Sequence, residues 1–314
     1  MVVFISGGFG FLGGRLAEHL TYKGYSVILG SSKQRLSPRW LPDAKVVFMD
    51  WFNDESLKKC CQGVDFVVHT AGVNAKDCNL DPALALEFNG VATTRFVRIA
   101  SEVGVRKFIY FSTAHVYSAN LTGHIDELSP VNNLNPYATS HYAGERAVLN
   151  EASKSSIDGI VVRLSNAFGA PVDKNTDCWG LLINDICRQI VENGEILLRS
   201  SGNQQRDFIP IARVCDATEN LLGSKLNSEE GLFNLGTFKS YAVLEMAKIV
   251  QERSEAVLNI RPEIKILDQE LRMQHSQNLS YRSIRWGGNK GTQYALVREI
   301  DETLIFCRNH FSKK

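Results

Sequence analysis

Tyr137 and His141 are the residues of this chain whose types and spacing best suit acid–base chemistry. Pro136 precedes the tyrosine and is typical of the first turn of a helix, where its missing N–H costs nothing. Residues four apart on a helix share one face, so the phenol and the imidazole project together. A phenol beside a potentially cationic group is a proton donor with a lowered pKa. The pair therefore predicts a proton-transfer site.

The composition excludes several classes of protein. With 314 residues, 44% of them hydrophobic and 22% charged, the chain matches an ordinary soluble globular protein. The net charge of +1 argues against a nucleic-acid or polybasic membrane protein, and no apolar run approaches a membrane-spanning length. The seven cysteines show no Cys-x-x-Cys pair and no histidine cluster at zinc spacing. We therefore expect reduced thiols, no metal site and a cytoplasmic location.

A glycine-rich turn follows the first apolar run of the chain. Residues 2–6 are β-rich, glycines occupy positions 7, 10 and 13, and a helical pattern begins near residue 15. In such a strand–turn–helix unit, the glycines allow a tight turn, close approach to a pyrophosphate and helix–strand packing. The helix N-terminus offers N–H groups to the phosphates. The sequence therefore predicts a dinucleotide-binding turn at residues 7–13.

Strands and helices alternate along the first half of the chain. This alternation predicts an α/β fold, a doubly wound parallel sheet of the Rossmann type with both faces covered. Its strands are expected at residues 25–29, 44–49, 64–69, 107–112 and 159–164, after the strand at 2–6. Beyond residue 165 the pattern loosens, although helices are expected at 178–193, 240–253 and 293–311. We assign residues 1–165 to the Rossmann domain, completed by about 231–255, and residues 166–314 mainly to a smaller C-terminal α/β domain.

Several motifs occur in one order along the chain. They are the glycine turn, residues 111–117, the Tyr137 helix, residues 163–169 and residues 206–209. Together they resemble the extended short-chain dehydrogenase/reductases, specifically the NAD-dependent epimerase/dehydratase family that modifies nucleotide sugars. The resemblance covers nearly the whole chain and weakens after about residue 255. It implies that the C-terminal domain binds a nucleotide-diphospho-sugar.

The resemblance also implies a catalytic triad of Ser or Thr, Tyr and Lys. Thr113 matches the hydroxyl that bonds the substrate oxygen, and Tyr137 matches the general acid/base. His141 occupies the place of the lysine, which in the family holds the nicotinamide ribose and lowers the tyrosine pKa. A neutral imidazole bonds a ribose hydroxyl but lowers that pKa less, whereas an imidazolium mimics lysine at shorter reach. Three alternatives follow: a slower enzyme, a specialised enzyme that uses histidine, or a binding-only relative.

The residues after Thr113 discriminate among reactions. Sugar 4,6-dehydratases of the family carry Asp and Glu there, whereas this chain has Ala114 and His115, so dehydration is not expected. By its position, His115 is a candidate acid/base for epimerisation. The alternative is a histidine that makes a simple polar contact in the pocket.

The loop after the second strand bears on cofactor preference. An NAD site needs a carboxylate there for the ribose 2′-OH, but this chain has none until Asp43. Hydroxyl and basic side chains could instead receive a 2′-phosphate, so NADP is favoured over NAD. The alternative is a solvated basic loop. The residues concerned are Ser31, Ser32, Lys33 and Arg35.

The resemblance assigns further residues to the cofactor and the substrate. Asp50 would contact the adenine edge or cap the following helix, and Asn89 would organise the central strands or serve as a structural amide. Asn166 and Arg206 match contacts to the nucleotide diphosphate, although Arg206 could pair with Asp207 instead. The predicted cofactor-binding set is Gly7, Gly10, Phe11, Leu12, Gly13, Ser31, Ser32, Lys33, Arg35, Asp50, Trp51, Thr70, Ala71, Gly72, Asn89, Ser112, Tyr137 and His141.

These features predict an NAD(P)-dependent reductase, with or without epimerase activity, that acts on a 4-keto nucleotide-diphospho-sugar. One alternative is a redox-neutral C4 epimerase with retained NAD. An alternative of another class is a non-catalytic NAD(P)-binding sensor or scaffold, suggested by His141. No nucleic-acid or membrane partner is expected. By analogy with the family, helices near 85–103 and 137–153 would form a homodimer.

Overall fold

The computed structural model describes residues 1–155, 157–224, 231–267, 278–285 and 292–312. Its strands are β1 (Val2–Ser6), β2 (Ser26–Ser31), β3 (Lys45–Phe48), β4 (Phe66–His69), β5 (Lys107–Thr113), β6 (Gly123–Ile125), β7 (Asp158–Leu164), β8 (Asn166–Phe168), β9 (Glu195–Leu198), β10 (Gln205–Pro210), β11 (Leu232–Leu235), β12 (Ser240–Ala242), β13 (Glu263–Ile266) and β14 (Leu279–Tyr281).

The helices are α1 (Phe11–Tyr22), α2 (Asp54–Cys61), α3 (Ala75–Leu80), α4 (Pro82–Ala85), α5 (Thr93–Glu102), α6 (Pro136–Ala152), α7 (Leu182–Asn193), α8 (Ile211–Gly223), α9 (Val243–Leu258) and α10 (Thr292–Phe311). A π-helical turn, Leu86–Ala92, joins α4 to α5, and a 3₁₀ turn, Ala114–Val116, follows β5. No described helix is long and apolar enough to cross a membrane.

The backbone contacts divide the chain into two compact units. Unit 1 contains residues 1–120, 129–164 and 215–234, and unit 2 contains residues 121–128, 165–214 and 235–314. The assignment of substrate binding to the C-terminal part stays a prediction.

Unit 1 is built on a seven-stranded sheet in the order β11-β7-β5-β4-β1-β2-β3. The pairs from β7 to β3 are all parallel, so crossover connections carry the chain back between strands; the connection from β2 to β3 is a loop, and the others contain helices. β4 and β5 are buried along their whole length, which explains their nearly continuous apolar sequence. The predicted Rossmann-type α/β fold is confirmed. Chain order reverses between β1 and β4, the position at which open α/β sheets bind ligands.

Unit 2 consists of small sheets around a separate apolar core. One sheet has the order β12-β10-β8, and two pairs are formed by β13 with β9 and by β14 with β6. The helices α7, α9 and α10 contribute the buried residues of this core, among them Ile186, Met246 and Ile300. All seven cysteines of the chain are buried and free of disulfides.

Lys107 is a buried lysine at the start of β5, only 3% exposed. Its Nζ donates to the carbonyl oxygens of Leu221 at 2.7 Å and Ser224 at 2.5 Å, at the C-terminal end of α8. The last carbonyls of a helix lack the regular intrahelical donors, and the ammonium bonds two of them, one of which, that of Leu221, also accepts from the Ser224 hydroxyl. Lys107 therefore fastens α8 to the sheet.

We expect Lys107→Met to lower the free energy of unfolding by about 2–3 kcal/mol, because it removes charge-assisted hydrogen bonds to two carbonyl oxygens at the end of α8. Urea unfolding followed by circular dichroism measures the change. Lys45→Met, at an exposed strand position, is the matched control and should change stability by less than about 0.5 kcal/mol. Equal effects of the two substitutions would contradict the assigned role.

Candidate functional site

The glycine turn between β1 and α1 forms a cradle that side chains would fill. Gly7 has φ +68°, and a Cβ placed on Gly13 would lie 2.3 Å from the Gly7 carbonyl oxygen. The Gly10 N–H donates to that same oxygen at 2.9 Å. α1 begins at Phe11, after a glycine that has no side chain to cap its first N–H groups. The cradle and the uncapped helix end fit a pyrophosphate.

The chain segment after β4 lies against this turn. The Ser6 Oγ accepts hydrogen bonds from the backbone N–H groups of Thr70 at 3.2 Å and Ala71 at 3.4 Å. Thr70 Oγ1 donates to the Ser6 carbonyl oxygen at 2.6 Å. A Cβ on Gly7 would come within 2.9 Å of the Ala71 nitrogen. The predicted residues 70–72 therefore stand beside the predicted glycines, at the carboxyl ends of β1 and β4.

Helix α6 begins where the sequence predicts and carries Tyr137 in its first turn. The Asn135 side chain caps the helix by accepting from the Tyr137 N–H at 3.0 Å, and Pro136 takes the first helical position. The half-buried side chain of Tyr137 lies near the Thr113 side chain at the end of β5. Its ring packs edge-on against His141, with centroids 4.5 Å apart. The predicted Thr113, Tyr137 and His141 are thus brought together.

The phenol of Tyr137 does not have the lowered pKa that the sequence suggested. Burial raises the pKa of Tyr137 to about 12, the nearby Cys78 thiol adds to the rise, and the Thr113 side chain opposes it. The earlier expectation was wrong because it assumed a cation beside the phenol. Tyr137 therefore keeps its proton at neutral pH.

Because His141 is neutral, it does not place a cation beside the Tyr137 phenol. The ring is only 7% exposed, and burial lowers its pKa to about 4. Its Nδ1 lies 3.0 Å from the Tyr110 hydroxyl, and the two rings stack with centroids 6.0 Å apart. Of the two forms that the sequence left open, the structure therefore selects the neutral imidazole. Tyr110 was not predicted, although it precedes Thr113 by three residues on the same strand.

Asn89 lies on the π-helical turn and ties three segments together. Its Oδ1 accepts from the Val73 N–H at 2.8 Å, and its Nδ2 donates to the Ser140 Oγ at 3.0 Å. The extra backbone width of a π-turn commonly marks a functional site. Here it lets the amide reach both the loop after β4 and helix α6. Asn89 thus holds the backbone around Gly72 and His141, as the structural alternative predicted.

A buried ion pair between Glu145 and Arg163 lies on the face of α6 that carries Tyr137 and His141. Glu145 is fully buried and accepts from Arg163 on β7 at 2.6 Å and from the Ser112 Oγ at 2.5 Å. The Arg163 guanidinium also lies 4.6 Å from the centre of the Tyr117 ring. Ser112, predicted to bind the cofactor, therefore directs its hydroxyl to Glu145. The i, i+4, i+8 spacing of Tyr137, His141 and Glu145 was the available sequence signal.

The remaining predicted residues occupy several environments. Ser31 is buried at the end of β2 and its Oγ accepts from the Lys33 N–H at 3.1 Å. Ser32, Lys33 and Arg35 are exposed. The Arg35 guanidinium lies 4.7 Å from the centre of the Phe9 ring, on the glycine turn.

Asp50 and Trp51 follow β3. Asp50 is exposed, and its carboxylate accepts from the Phe52 N–H at 3.2 Å. Asp50 is not the N-cap of α2, as one alternative proposed, because Asn53 accepts from the Ser56 N–H. The Trp51 side chain lies in the hydrophobic core.

His115 is half-buried directly after β5. Its backbone N–H donates to Thr113 Oγ1 at 3.1 Å, and its carbonyl oxygen accepts from Asn133 at 2.7 Å. These backbone bonds fix the position of the residue next to Thr113. The acid/base role of its imidazole stays a prediction.

The predicted substrate residues lie in unit 2, on neighbouring strands. The Asn166 side chain on β8 donates to the Asp207 carbonyl oxygen at 2.9 Å. Asp207 is 1% exposed, and its carboxylate accepts from the Ser165 Oγ at 2.7 Å and the Thr237 N–H at 2.9 Å. Side chains of adjacent strand residues point to opposite faces. The proposed ion pair between Arg206 and Asp207 is therefore wrong.

Arg206 instead lines a cavity of about 660 Å³ within unit 2. Burial lowers the pKa of Arg206, and its guanidinium donates to the Gln204 Oε1 at 3.1 Å. Two further arginines, Arg188 and Arg199, line the same cavity together with Trp179. The Asp185 carboxylate also lines this cavity, but the three guanidinium groups outnumber it and, with the aromatic ring, suit an anionic aromatic ligand. Sequence analysis identified only Arg206 of this group.

Comparison with known proteins agrees with the fold. The model of the NAD dependent epimerase/dehydratase family matches residues 3–236. A putative UDP-glucose 4-epimerase of Methanocaldococcus jannaschii is 26% identical over 82% of this chain and 85% of its own length.

Two solved structures have similar folds. The UDP-glucose 4-epimerase of Thermotoga maritima, solved with UDP-glucose, gives a TM-score of 0.80 at 20% identity, covering 98% of this chain and 99% of its own. The UDP-glucuronic acid 4-epimerase of Bacillus cereus, solved with UDP-glucuronic acid and NAD, gives 0.78 at 18% identity, covering 98% and 99%. Together with the family match, they confirm the resemblance. The chain belongs to the NAD dependent epimerase/dehydratase family.

The two buried histidines of unit 1 predict acid sensitivity. Burial lowers the pKa of His69 to about 3 and that of His141 to about 4, from 6.5 in the unfolded chain. The unfolded chain therefore binds more protons below pH 6.5, and stability falls as the pH falls. We expect each histidine to contribute roughly 2 kcal/mol of this loss by pH 5. Urea unfolding between pH 7 and pH 5 measures the slope.

His141→Gln removes one of these two contributions and should make the pH dependence shallower. His124→Gln, at an exposed position on β6, is the matched control and should leave the slope as in the parent chain. A His141→Gln slope equal to that of the parent would show that His141 is not held neutral by burial.

Proposed function

We propose that this protein is a nucleotide-diphospho-sugar 4-epimerase that oxidises and re-reduces one sugar carbinol with a retained dinucleotide. The observation that carries the proposal is the placement of Tyr137 beside Thr113 and His141 at the carboxyl end of the sheet, with the His141 ring packed on the phenol. The similarity to the Methanocaldococcus jannaschii protein, over most of both chains, supports the same reaction. Ala114 and His115 take the place of the carboxylates that the resemblance associates with dehydration.

In this reaction, Tyr137 exchanges a proton with the sugar hydroxyl while the Thr113 hydroxyl holds the same oxygen. A bound nicotinamide supplies hydride exchange at the sugar carbon. Tyr137 can act as the acid at neutral pH because it carries its proton there. As base, it must first lose that proton, and the buried neutral His141 gives little electrostatic help. Proton removal is therefore the demanding half of the cycle.

The dinucleotide would be held mainly by unit 1. Gly7, Gly10 and Gly13 with the N-terminus of α1 would receive the pyrophosphate, and His141 would hydrogen-bond the nicotinamide ribose. Burial of the imidazole makes this contact a neutral hydrogen bond. Catalysis does not require a lysine at position 141, because a hydrogen bond to the ribose needs a donor and not a charge.

The nucleotide diphosphate is assigned to Arg206 in unit 2. Its guanidinium is desolvated, lies beside Gln204 and is not balanced by Asp207, whose carboxylate is already hydrogen-bonded. A desolvated guanidinium gains most from a fork-like pairing with phosphate. Trp179 and the other cavity arginines suit the nucleoside and further phosphate oxygens.

A second candidate function is net reduction of a 4-keto nucleotide-sugar by NADPH. The observation that favours it is the loop after β2, where Ser31 replaces a carboxylate and Lys33 and Arg35 are exposed. Arg35 lies on the Phe9 ring of the glycine turn, where its charge suits a 2′-phosphate. The NADP preference stays a prediction. The homodimer and the cytoplasmic location likewise stay predictions.

The pH dependence of turnover should separate the two functions. Because the pKa of Tyr137 is about 12, the deprotonated fraction rises about tenfold per pH unit below that value. We expect epimerisation of UDP-glucose to accelerate in this way from pH 6 to pH 9, if proton removal limits the rate. Reduction uses the protonated phenol and should be nearly flat over the same range.

The cofactor that the purified protein retains gives an independent decision. Epimerisation predicts NAD that survives gel filtration and is not consumed, whereas reduction predicts stoichiometric release of NADP⁺. Tyr137→Phe should abolish either activity while leaving dinucleotide binding within about twofold, because the phenol hydroxyl serves the sugar oxygen. Dinucleotide binding without turnover of any UDP-, GDP-, dTDP- or CDP-sugar would indicate the sensor or scaffold.

Arg206→Met tests the substrate assignment. We expect KM for the nucleotide-sugar to rise about 10- to 100-fold with a smaller change in kcat, as loss of a charge-assisted hydrogen bond implies. Arg261→Met, at an exposed arginine paired with Glu255, is the matched control and should leave KM unchanged. An unchanged KM in Arg206→Met would remove Arg206 from the substrate site.

A further inference from the structure

Tyr110 makes the contact that fixes the His141 ring. It lies in the middle of β5, is 1% exposed, and places its hydroxyl 3.0 Å from Nδ1 of His141. The next acceptor, the backbone carbonyl oxygen of His141, is farther away at 3.5 Å. That carbonyl lies inside helix α6, where backbone N–H groups already bond the carbonyls one turn earlier. The shorter distance favours donation of the hydroxyl's hydrogen bond to Nδ1.

A gap in helix α6 admits this hydroxyl. A Cβ placed on Gly144 would lie 2.6 Å from the Tyr110 oxygen and 2.7 Å from the Asn89 carbonyl oxygen. Any larger residue at position 144 would push the phenol away from the helix. Glycine in a helix interior costs about 1 kcal/mol relative to alanine. The packing thus preserves the contact between Tyr110 and His141 at the expense of helix propensity.

The other ring nitrogen of His141 has no partner among the residues that the structure describes. Nε2 is absent from their hydrogen bonds and from their buried unpaired polar atoms, so it reaches an accessible surface. It lies 3.8 Å from where a Cβ on Gly72 would stand, beside the strand end that faces the glycine turn. A neutral imidazole that accepts a hydrogen bond at Nδ1 carries its proton at Nε2. His141 therefore presents a donor, as a lysine would.

We propose that Tyr110 is a positioning residue that holds His141 as the Nε2–H tautomer, so that a neutral Tyr–His pair performs the ribose anchoring of a single lysine. The proposal rests on the cofactor site proposed above. It goes further in assigning the orientation and tautomer of His141 to a hydroxyl on β5. Tyr110 itself touches neither the sugar nor the dinucleotide in this scheme, and acts only through His141.

A double-mutant cycle on dinucleotide affinity tests this dependence. Tyr110→Phe should weaken NAD binding about fivefold, the effect of losing one neutral hydrogen bond. Glutamine places an amide N–H near the position of Nε2 and has no atom at Nδ1, so Tyr110→Phe should change affinity less than twofold in a His141→Gln background. Titration calorimetry measures the four dissociation constants. Equal losses in both backgrounds, or none in either, would overturn the proposal.

Nitrogen NMR of the free protein tests the pairing without cofactor. We expect the His141 resonances to show an unprotonated Nδ1 and a protonated Nε2 at pH 7. Tyr110→Phe should move the Nδ1 resonance. Tyr117→Phe removes another buried hydroxyl, which donates to Asn234 at 2.8 Å, and should leave His141 unchanged. An Nδ1–H tautomer in the parent chain, or an unmoved resonance in Tyr110→Phe, would overturn the proposal.

The two experiments also distinguish this proposal from the proposed function. A parent chain that binds neither NAD nor NADP would overturn the cofactor site, and the ribose role of His141 with it. Normal dinucleotide binding with an unmoved Nδ1 resonance would overturn only the role of Tyr110. Unfolding free energies of Tyr110→Phe and Tyr117→Phe show whether a loss of stability, and not of positioning, explains a change in affinity.

Discussion

Desolvation of the His141 imidazole is the constraint on which the electrostatics of the site depend. Packed between Tyr110 and Tyr137, the ring stays neutral. A neutral ring cannot lower the pKa of the adjacent phenol, which burial then raises. At the position of the lysine that the resemblance implies, this chain therefore has a neutral imidazole, which interacts through directional hydrogen bonds and not through a permanent charge. The protonated phenol is therefore favoured over the phenolate, and the geometry of the imidazole matters more than its charge.

Helix α6 provides that geometry because contacts at its start and along its first three turns fix its position. Asn135 caps its start, the π-turn amide bonds Ser140, and the buried pair of Glu145 with Arg163 fixes the following turn. Breaking a buried ion pair by removing one partner is costly, so the helix is expected to resist rotation about its axis. The side chains at successive turns consequently share one fixed frame with the end of β5.

The sequence was most informative where a local rule determines the structure. The glycine turn at the first strand–helix junction and the shared helix face of Tyr137 and His141 depend on turn and helix geometry alone, and the structure has both as predicted. The charge of His141 could not be predicted, because it depends on burial by residues distant in sequence. The partners of Asp207 likewise depend on the tertiary structure. Its position next to Arg206 suggested an ion pair, but the side chains of adjacent strand residues point to opposite faces, and the carboxylate bonds Ser165 and Thr237.

The number of residues in the π-helical turn Leu86–Ala92 matters for the structure of this part of the molecule. Each residue of an α-helix advances the direction of the side chain by about 100°. Shortening the turn by one residue would therefore restore regular helix and change the phase of Asn89 relative to α5 by about that angle. The amide would then leave both Val73 and Ser140. The register of this turn, and not only the identity of its residues, keeps the loop at Gly72 aligned with His141.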